Sequence, residues 1–238
     1  MHVFTFSDPG PRTENQDSIC VEDRLPRLLA AVADGVGGNN GGKFASTFAI
    51  ESLVAAFEAG VPLAKSAHDA HEQILNHSAT NPALAGMATT LTAVEIAEGI
   101  VTGVHCGDSR AYILRGHGLK QLTADHTEVA QHIASGRITK EEALTYPRRN
   151  VLTSALGISR GFVLQNFSFE LEPNDRLLLM SDGVYSLFSK KEIQTASAVQ
   201  QDLNAFCTSL IADVKLRQPK DNFSLIGLQV EATDVERR

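Results

Sequence analysis

Apolar and polar positions along the chain alternate between two kinds of pattern. Short apolar runs bounded by turn residues such as Asp8-Pro9-Gly10 are typical of buried strands. Strands are predicted for residues 2–6, 17–21, 28–33, 88–96, 101–106, 111–114, 119–122, 162–169, 176–180 and 223–230. These runs occur near both ends of the chain, so strands contribute throughout its length.

Helical spacing of apolar residues begins after the glycines at positions 37, 38, 41 and 42. One face of a first helix can be formed by Phe44, Phe48, Leu53, Ala56 and Phe57. Further helices are predicted over Leu63 to His77 and from about Val199 to Leu216. Residues 123–147 are polar, and Thr139-x-x-Glu142 is typical of a helix start, so short surface helices are predicted there.

The order of these elements predicts the fold class. Strands occur in clusters separated by pairs of helices, and strand-helix-strand alternation is rare. This order favours an α+β protein with two packed antiparallel sheets and helices outside over a doubly wound parallel sheet. No linker, repeat or low-complexity tract interrupts the chain, so residues 1–238 are predicted to form a single domain.

Composition argues against some classes of function. The chain is 43% hydrophobic and 21% charged, as expected of an ordinary soluble protein. Its net charge of −7 and the lack of Lys/Arg clusters argue against nucleic-acid binding. No apolar run approaches the ~20 residues of a membrane helix, so we expect a cytoplasmic monomer that does not bind membranes.

Cysteines and histidines give no metal signal. Cys20, Cys106 and Cys207 are odd in number and lack Cys-x-x-Cys spacing, so reduced, buried thiols are expected. His68 and His71 share a helix face without a third ligand, and we interpret them as surface residues. His126 is interpreted as structural.

Acidic residues give a stronger signal. Asp17, Asp34, Asp182 and Asp221 stand beside small or turn-forming residues at predicted turns or strand ends. A carboxylate buried alone at such a place would cost on the order of several kcal/mol. A divalent cation removes that cost, and oxygen ligands suit Mg²⁺ or Mn²⁺ rather than zinc. The pattern predicts a cage for one of these metals.

Gly35 follows Asp34 directly. A glycine lets the backbone turn a carbonyl oxygen toward an ion that the neighbouring carboxylate binds. Asp-Gly is also a common turn dipeptide. The matching contexts of Asp182 and Asp221 favour the metal interpretation.

Short strings along the chain resemble those of a known family. They are Ser7 to Arg12 with Asn15-Gln16-Asp17, Asp34 to Gly38, Ala88-Thr89-Thr90, Gly107 to Arg110, Leu122 to His126, Asn150 to Gly157, Ser181-Asp182-Gly183 and Asp221-Asn222. In this order they resemble the type 2C, metal-dependent serine/threonine protein phosphatases of bacteria. The resemblance implies a four-layer α-β-β-α sandwich with metals at one end, between the sheets.

The resemblance also implies a role for the matching acids. Asp34 would bridge two Mg²⁺ or Mn²⁺ ions, Gly35 would add its carbonyl, and Asp182 and Asp221 would complete the second ion's shell. Asp17 and Gln16 would act mainly through ordered waters, and Asn222 would orient Asp221. Asp108 would hold a third, weaker ion together with Asp182; an Asx turn or a salt bridge to Arg110 stays open for it.

Arg12 is implied as the phosphate-binding residue, because a guanidinium matches two phosphate oxygens and stays charged. The implied reaction is hydrolysis of phosphoserine and phosphothreonine in proteins by water activated between two ions. Phosphoprotein substrates and a cognate Ser/Thr kinase are the expected partners. Residues 123–157 correspond to a variable flap beside the active site, which we expect to be mobile and to affect substrate choice.

Several positions depart from the family's pattern. Val36 stands where some members have a histidine proposed as general acid, and Gln16 replaces a common acid. Ala88, Tyr146 and Ser154 stand where glycine, histidine and arginine are frequent. No residue of this chain can therefore be assigned the role of general acid.

Two other functions are compatible with parts of the sequence. A catalytically silent regulatory binding domain of the same fold is disfavoured because the chain retains an expensive cluster of acids with Arg12. A nucleotide-binding module using the glycines after Asp34 is disfavoured because no Gly-Lys-Ser/Thr follows them.

Overall fold

The computed structural model describes residues 1–36, 41–231 and 234. Gly37 and Gly38, which belong to the glycine-rich string after Asp34, lie outside the described residues.

Strands occupy most of the predicted apolar runs. In chain order they are β1 (His2–Asp8), β2 (Asp17–Arg24), β3 (Arg27–Val36), β4 (Ala88–Thr89), β5 (Leu91–Ala97), β6 (Ile100–Cys106), β7 (Arg110–Arg115), β8 (Gly118–Gln121), β9 (Gln165–Glu170), β10 (Arg176–Met180) and β11 (Phe223–Gln229).

Helices fill the intervals between strand clusters. They are α1 (Gly41–Glu58), α2 (Leu63–Thr80), α3 (Glu128–Ala134), α4 (Lys140–Ala143), α5 (Asp182–Tyr185), α6 (Lys190–Val199) and α7 (Leu203–Leu216), with a 3₁₀ turn at Pro82–Leu84.

The described strands form two antiparallel sheets. The five-stranded sheet has the order β1-β11-β10-β7-β8, and the six-stranded sheet has the order β2-β3-β5-β6-β9 with β4 beside β3. All neighbouring pairs run antiparallel. The α+β class predicted from the element order is confirmed.

Side chains on the central strands alternate between two cores. On β3, Leu29 and Ala31 pack under α1 and α2, whereas Leu28 and Ala30 face the other sheet. β10 and β11 alternate in the same way between the inter-sheet core and the core under α6 and α7. The strands read as continuous apolar runs because both of their faces are buried. The four layers are therefore helices, sheet, sheet and helices.

The prediction of one long helix from Val199 to Leu216 is wrong at its N-terminal end. The structure ends α6 at Val199 and begins α7 at Leu203, with the Asp202 side chain capping the new helix at Ala205 N. α6 itself was missed, although Ser189 and Glu192 form the same capping box as Thr139 and Glu142.

Two predicted strands are shorter in the structure. The run 88–96 breaks at Thr90, whose side chain and backbone bind Asp34 instead of continuing the ladder. The run 162–169 begins only at Gln165, because the backbone of Val163 pairs with the Ser154 hydroxyl. Both interruptions lie where the sandwich edge meets the cavity described below.

The flap, residues 123–157, carries α3 and α4, which bury no residue. That residues 1–238 form a single domain, with residues 123–157 as its flap, stays a prediction. Across the described chain, no helix is both long enough and apolar enough to cross a bilayer. The three cysteines are free thiols; Cys106 and Cys207 are buried and Cys20 is half-buried.

Candidate active site

One end of the sandwich collects the aspartates that the sequence singled out. Asp34 lies near the end of β3 and is paired across the ladder with Asp17 at the start of β2. Asp182 opens α5 directly after β10, Asp221 lies in the turn before β11, and Asp108 lies in the turn between β6 and β7. Because neighbouring strands run antiparallel, the start of one strand lies beside the end of the next, and residues far apart in sequence meet at this end of the sandwich.

A cavity of about 1070 Å³ opens at this end. Asp34, Asp108, Asp182 and Asp221 all line it. The other predicted residues on its wall are Arg12, Gly35, Gln16 and Asn222. Asp17 is 2% exposed and lies behind Asp34 rather than on the wall.

The backbone of Asp34 is fixed from the neighbouring strand. Its N–H donates to Thr90 Oγ1 at 2.9 Å, and its carbonyl accepts from Thr90 N at 2.8 Å and from Thr89 Oγ1 at 2.9 Å. These contacts replace the regular ladder where β4 and β5 separate. The carboxylate therefore projects from a backbone with little freedom to move.

Gly35 is required for a reason the sequence did not reveal. A Cβ atom there would lie 2.2 Å from the carbonyl oxygen of Gly42 at the start of α1. The close approach of β3 and α1 thus excludes any side chain at this position.

Enclosure and mutual repulsion disturb the titration of the acids. Burial, followed by the charges of Asp17 and Asp182, raises the pKa of Asp34 well above its ordinary value. Burial and the Asp221 charge raise the pKa of Asp182 to about 6. Burial and the Asp182 charge raise the pKa of Asp108 to about 7. Nearby positive charge, such as a bound cation, would favour the charged form of these carboxylates and lower their pKa values again.

Asp108 does not pair with Arg110, which excludes one alternative left open by the sequence. Arg110 instead donates to both carboxylate oxygens of Asp125, at 2.9 and 2.5 Å. Its guanidinium also lies over the Tyr185 ring, 3.8 Å from the centroid. Asp108 is left facing the cavity near Asp182.

Arg12 binds one of the predicted metal ligands. Its Nη2 donates to Asp221 Oδ2 at 2.7 Å, and both side chains are about half exposed. Among the described residues, no three His, Cys, Asp or Glu side chains are arranged as ready ligands of one ion.

Asn222 contacts both Asp221 and the loop that carries Arg12. Its backbone N–H donates to Asp221 Oδ1 at 2.9 Å. Its side chain accepts from Gln16 N at 2.8 Å and donates to the carbonyls of Pro9 and Glu14, each at 2.9 Å. The side-chain amide thus anchors the loop that carries Arg12, and the role of Asn222 in orienting Asp221 stays a prediction.

Two residues that the sequence did not single out hold Asp17. Ser181 Oγ and Ser224 Oγ donate to Asp17 Oδ2 at 2.8 and 2.6 Å. Asp17 Oδ1 is buried without a hydrogen-bond partner among the described residues. Ser181 lies inside the string Ser181-Asp182-Gly183, and Ser224 lies two residues beyond Asp221-Asn222, but nothing local indicates a contact of either with Asp17.

The interpretation of His71 as a surface residue is wrong. Its ring is buried, stacks on Phe162 at 3.8 Å and accepts from Gly157 N at 3.1 Å. His126 has a structural contact, as predicted, because its Nδ1 accepts from Gly107 N at 3.2 Å. Neither ring lines the cavity.

A model of one known family matches most of the chain. Residues 12–218 match the family described as protein phosphatase 2C. The chain belongs to this family. It is a serine/threonine protein phosphatase, and the enzyme class predicted from the ordered strings is confirmed.

Relatives of the phosphatase are bacterial. The chain is 30% identical to the serine/threonine phosphatase stp of Listeria monocytogenes serotype 4b (strain F2365), over 100% of this chain and 99% of the relative. The crystal structure of the serine/threonine phosphatase Stp1 from Staphylococcus aureus matches it with a TM-score of 0.90 at 29% identity, covering 97% and 95% of the two chains. The four-layer fold expected from the resemblance is confirmed.

One further solved structure bears on the metal. The catalytic domain of the serine threonine protein phosphatase PstP, in complex with 2 manganese ions, matches with a TM-score of 0.83 at 31% identity, over 97% of this phosphatase and 98% of PstP. The family is metal-dependent, and the hard oxygen groups at the cavity agree with that dependence.

Proposed function

We propose that the phosphatase hydrolyses phosphoserine and phosphothreonine in proteins by a water activated between two Mg²⁺ or Mn²⁺ ions held at the aspartate cluster. The observation that supports this most directly is the convergence of Asp34, Asp108, Asp182 and Asp221 on one cavity. The raised pKa values of Asp34, Asp108 and Asp182 mean that these carboxylates resist carrying their full negative charge without cations.

The residues present fit a pair of hard cations. Every group assigned as a ligand offers oxygen, and among the described residues no His or Cys lines the cavity. Asp17 adds a buried carboxylate oxygen with no hydrogen-bond partner among the described residues. In this assignment Asp34 would be shared by the two ions, Gly35 would add its carbonyl, and Asp182 and Asp221 would hold the second ion.

Bound divalent cations would supply a water of lowered pKa as nucleophile and would offset the charge of the phosphate. The chain's own residues position the substrate. Arg12 binds phosphate oxygens with its planar fork of donors. Its exposed pair with Asp221 is worth only about 0–1 kcal/mol, so phosphate can take Arg12 and free Asp221 as a ligand.

Asp108 is assigned to a third, weaker ion that it shares with Asp182. Its place in the β6–β7 turn and its raised pKa support this. Gln16 and Asp17 act mainly through ordered waters in the assignment, although Asp17 lies deeper than the cavity wall. No cavity residue is assigned as general acid, because Val36 stands where a histidine occurs in some relatives.

The cavity favours a protein segment as substrate. Besides the acids, its lining includes the apolar residues Val36, Val151, Leu152, Ala155 and Ile158. A volume of about 1070 Å³ exceeds what a phosphate group requires, since whole drug-sized ligands occupy roughly 300–1,000 Å³. A Ser/Thr kinase would produce the phosphoprotein that this enzyme consumes.

Metal-dependent turnover tests the proposal. Protein freed of metal with a chelator is assayed with p-nitrophenyl phosphate and with a phosphothreonine peptide, before and after Mn²⁺ or Mg²⁺ is added. Both substrates are expected to be hydrolysed only with added metal, because hard oxygen ligands hold these ions. Full activity in protein shown by elemental analysis to be metal-free would contradict the mechanism.

The same assay separates the enzyme from a silent binding domain of this fold. A silent domain would bind the phosphopeptide in the presence of Mn²⁺ without releasing phosphate. Binding is measured by fluorescence anisotropy and phosphate release by a colorimetric assay on the same samples.

A further inference from the structure

Asp17 joins the two sheets of the sandwich through hydroxyl groups. The carboxylate comes from β2 in the six-stranded sheet, whereas Ser181 follows β10 and Ser224 lies on β11 in the five-stranded sheet. Both serines are fully buried, and Asp17 is 2% exposed. We call Asp17, Ser181 and Ser224 the hydroxyl clasp.

Hydrogen positions in the hydroxyl clasp follow from its partners. Ser181 Oγ accepts from Ser224 N at 2.9 Å, so its own proton is available to Asp17 Oδ2. Ser224 Oγ also donates to Asp17 Oδ2. Since a hydroxyl has one proton, Ser7 Oγ must be the donor in its 2.8 Å contact with Ser224 Oγ. Ser7 in turn accepts from Asn15 Nδ2 at 2.8 Å, which completes the chain of donors.

Each member of the clasp adjoins a proposed metal ligand. Ser181 directly precedes Asp182, Ser224 follows Asp221 by three residues, and Asp17 is the ladder partner of Asp34. The clasp therefore connects the two strand ends that carry Asp182 and Asp221 to the strand pair that carries Asp34. Among the described strands, no ladder contact joins the sheets at this point, because β2 and β3 belong to one sheet and β10 and β11 to the other. The chain itself crosses between the sheets at the same end, through residues 9–16 from β1 to β2 and residues 107–109 from β6 to β7.

We propose that Ser181 and Ser224 are positioning residues, which set the separation of the two halves of the metal site by fixing Asp17 across the sheets. The inference rests on the proposed two-ion function. Hydrogen bonds to a charged group are the stronger kind, and a buried pair of them holds a carboxylate in one orientation. Groups that orient metal ligands without touching the metal contribute about 10–100-fold in metal affinity in other proteins.

A purely structural role predicts a different outcome from a positioning role. Loss of a buried hydroxyl that only stabilises the fold lowers the melting temperature and leaves Mn²⁺ binding by the folded protein unchanged. Loss of a positioning hydroxyl weakens Mn²⁺ binding in protein that is still folded.

The test uses Ser181→Ala, Ser224→Ala and the double variant, with Mn²⁺ titrated by calorimetry into the metal-free full-length chain. Each single variant is expected to bind Mn²⁺ about tenfold more weakly than wild type, and the double variant more weakly still. KM for p-nitrophenyl phosphate at saturating Mn²⁺ should change less than kcat, because Arg12 is untouched.

Two matched variants serve as controls. Ser66→Ala removes a buried hydroxyl that donates only within α2, to Pro62 O at 3.1 Å, and should bind Mn²⁺ within about twofold of wild type. Ser7→Ala removes the hydroxyl that donates to Ser224 but not to Asp17, so its effect should lie between Ser66→Ala and Ser224→Ala.

Measurements on the wild-type protein distinguish a failure of the proposed function from a failure of the positioning role. If wild type fails to bind Mn²⁺ or to turn over substrate, the proposed function is wrong. If wild type binds normally and the two single variants bind equally well, the positioning role is overturned. If the variants fail to fold, the hydroxyl clasp contributes to stability, and the positioning role is likewise overturned.

Discussion

Opposite walls of the cavity are constructed in different ways. Asp34, Asp182 and Asp221 project from the ends of strands that are buried on both faces. The flap wall comes from residues 150–155, next to helices that bury no side chain. Elements with deep cores have high local stability, whereas surface segments open at low cost. The difference suits a fixed chemical centre facing an adjustable substrate surface.

Hydrogen bonds hold the flap together, and its two helices bury no side chain. Glu128 accepts from Tyr146 at 2.5 Å and from Arg148 at 2.9 and 3.0 Å. A single isolated bridge between Thr127 and Leu152 joins its two ends, among the described residues. By contrast, three hydrogen bonds hold the backbone of Asp34 alone. Changes on the strand side should therefore impair the chemistry, and changes on the flap side should alter substrate choice.

The largest effect is expected on the strand side. Asp34→Asn keeps the shape of the side chain and removes the charge assigned to both ions, so kcat should fall by at least ~100-fold for every substrate. Turnover is measured with p-nitrophenyl phosphate at saturating Mn²⁺. Asp213→Asn, an exposed change on α7, is the control. Near-normal kcat in Asp34→Asn would remove the bridging assignment.

Arg12→Ala should affect binding more than chemistry. Loss of a charged hydrogen-bond donor to phosphate is expected to raise KM about tenfold, with a smaller decrease in kcat. Arg24 is a close control, because it is 59% exposed against 55% for Arg12 and also pairs with an acid. If Arg12→Ala and Arg24→Ala gave the same KM, Arg12 would not be the phosphate ligand.

A smaller, substrate-dependent effect is expected in the flap. Glu128→Gln releases Tyr146 and Arg148, and it should change kcat/KM for a phosphoprotein a few-fold, roughly, with little change for p-nitrophenyl phosphate. Glu141→Gln makes the same charge change on the exposed face of α4 and serves as control. Equal changes for both substrates would indicate that the flap only supports the fold.

The smallest effect is expected on stability, at His105, where β6 meets the start of the flap. His105 on β6 lies with Nε2 3.1 Å from Ala124 O at the start of the flap, and its ring is near His126. Burial, followed by the His126 charge, lowers the pKa of His105 to about 3. Below pH about 6.5 the unfolded chain therefore takes up a proton that the folded protein refuses, so stability decreases as pH falls.

Thermal melts at pH 7.5 and 5.5 measure this contribution. At pH 5.5 it amounts to about 1 kcal/mol, which corresponds to roughly 2–4 °C for a protein of this size. His105→Gln should reduce the loss of melting temperature between the two pH values by about that amount. An unchanged difference in the variant would mean that His105 is not held neutral.

Sequence predicted which aspartates meet at the end of the strands, because the signals for these residues are local. An acid next to glycine at the end of an apolar run indicates a buried strand end, whatever the rest of the chain does. The contacts that complete the centre are not local. Nothing near Ser181 or Ser224 predicts Asp17 as their partner, and nothing near Arg12 predicts Asp221.

Errors elsewhere have similar physical causes. His71 was placed on the surface because a polar residue on an amphipathic helix is usually solvated, but Phe162 arrives from a distant segment and covers it. The missed helix α6 carried a readable signal in Ser189-x-x-Glu192. The split at Thr90 depends on the neighbouring strand and on the backbone of Asp34, which no local pattern contains.

The aspartates of this site come from both sheets, and that origin limits which motions the enzyme can use. Sliding one sheet past the other by one residue would displace the strand ends by about 3.3 Å. A catalytic group tolerates only about 0.5 Å of misplacement. Shear between the layers, a common means of domain closure, is therefore incompatible with turnover here. Adaptation to new substrates or temperatures must proceed through the loops, while the stacking of the two sheets stays constant.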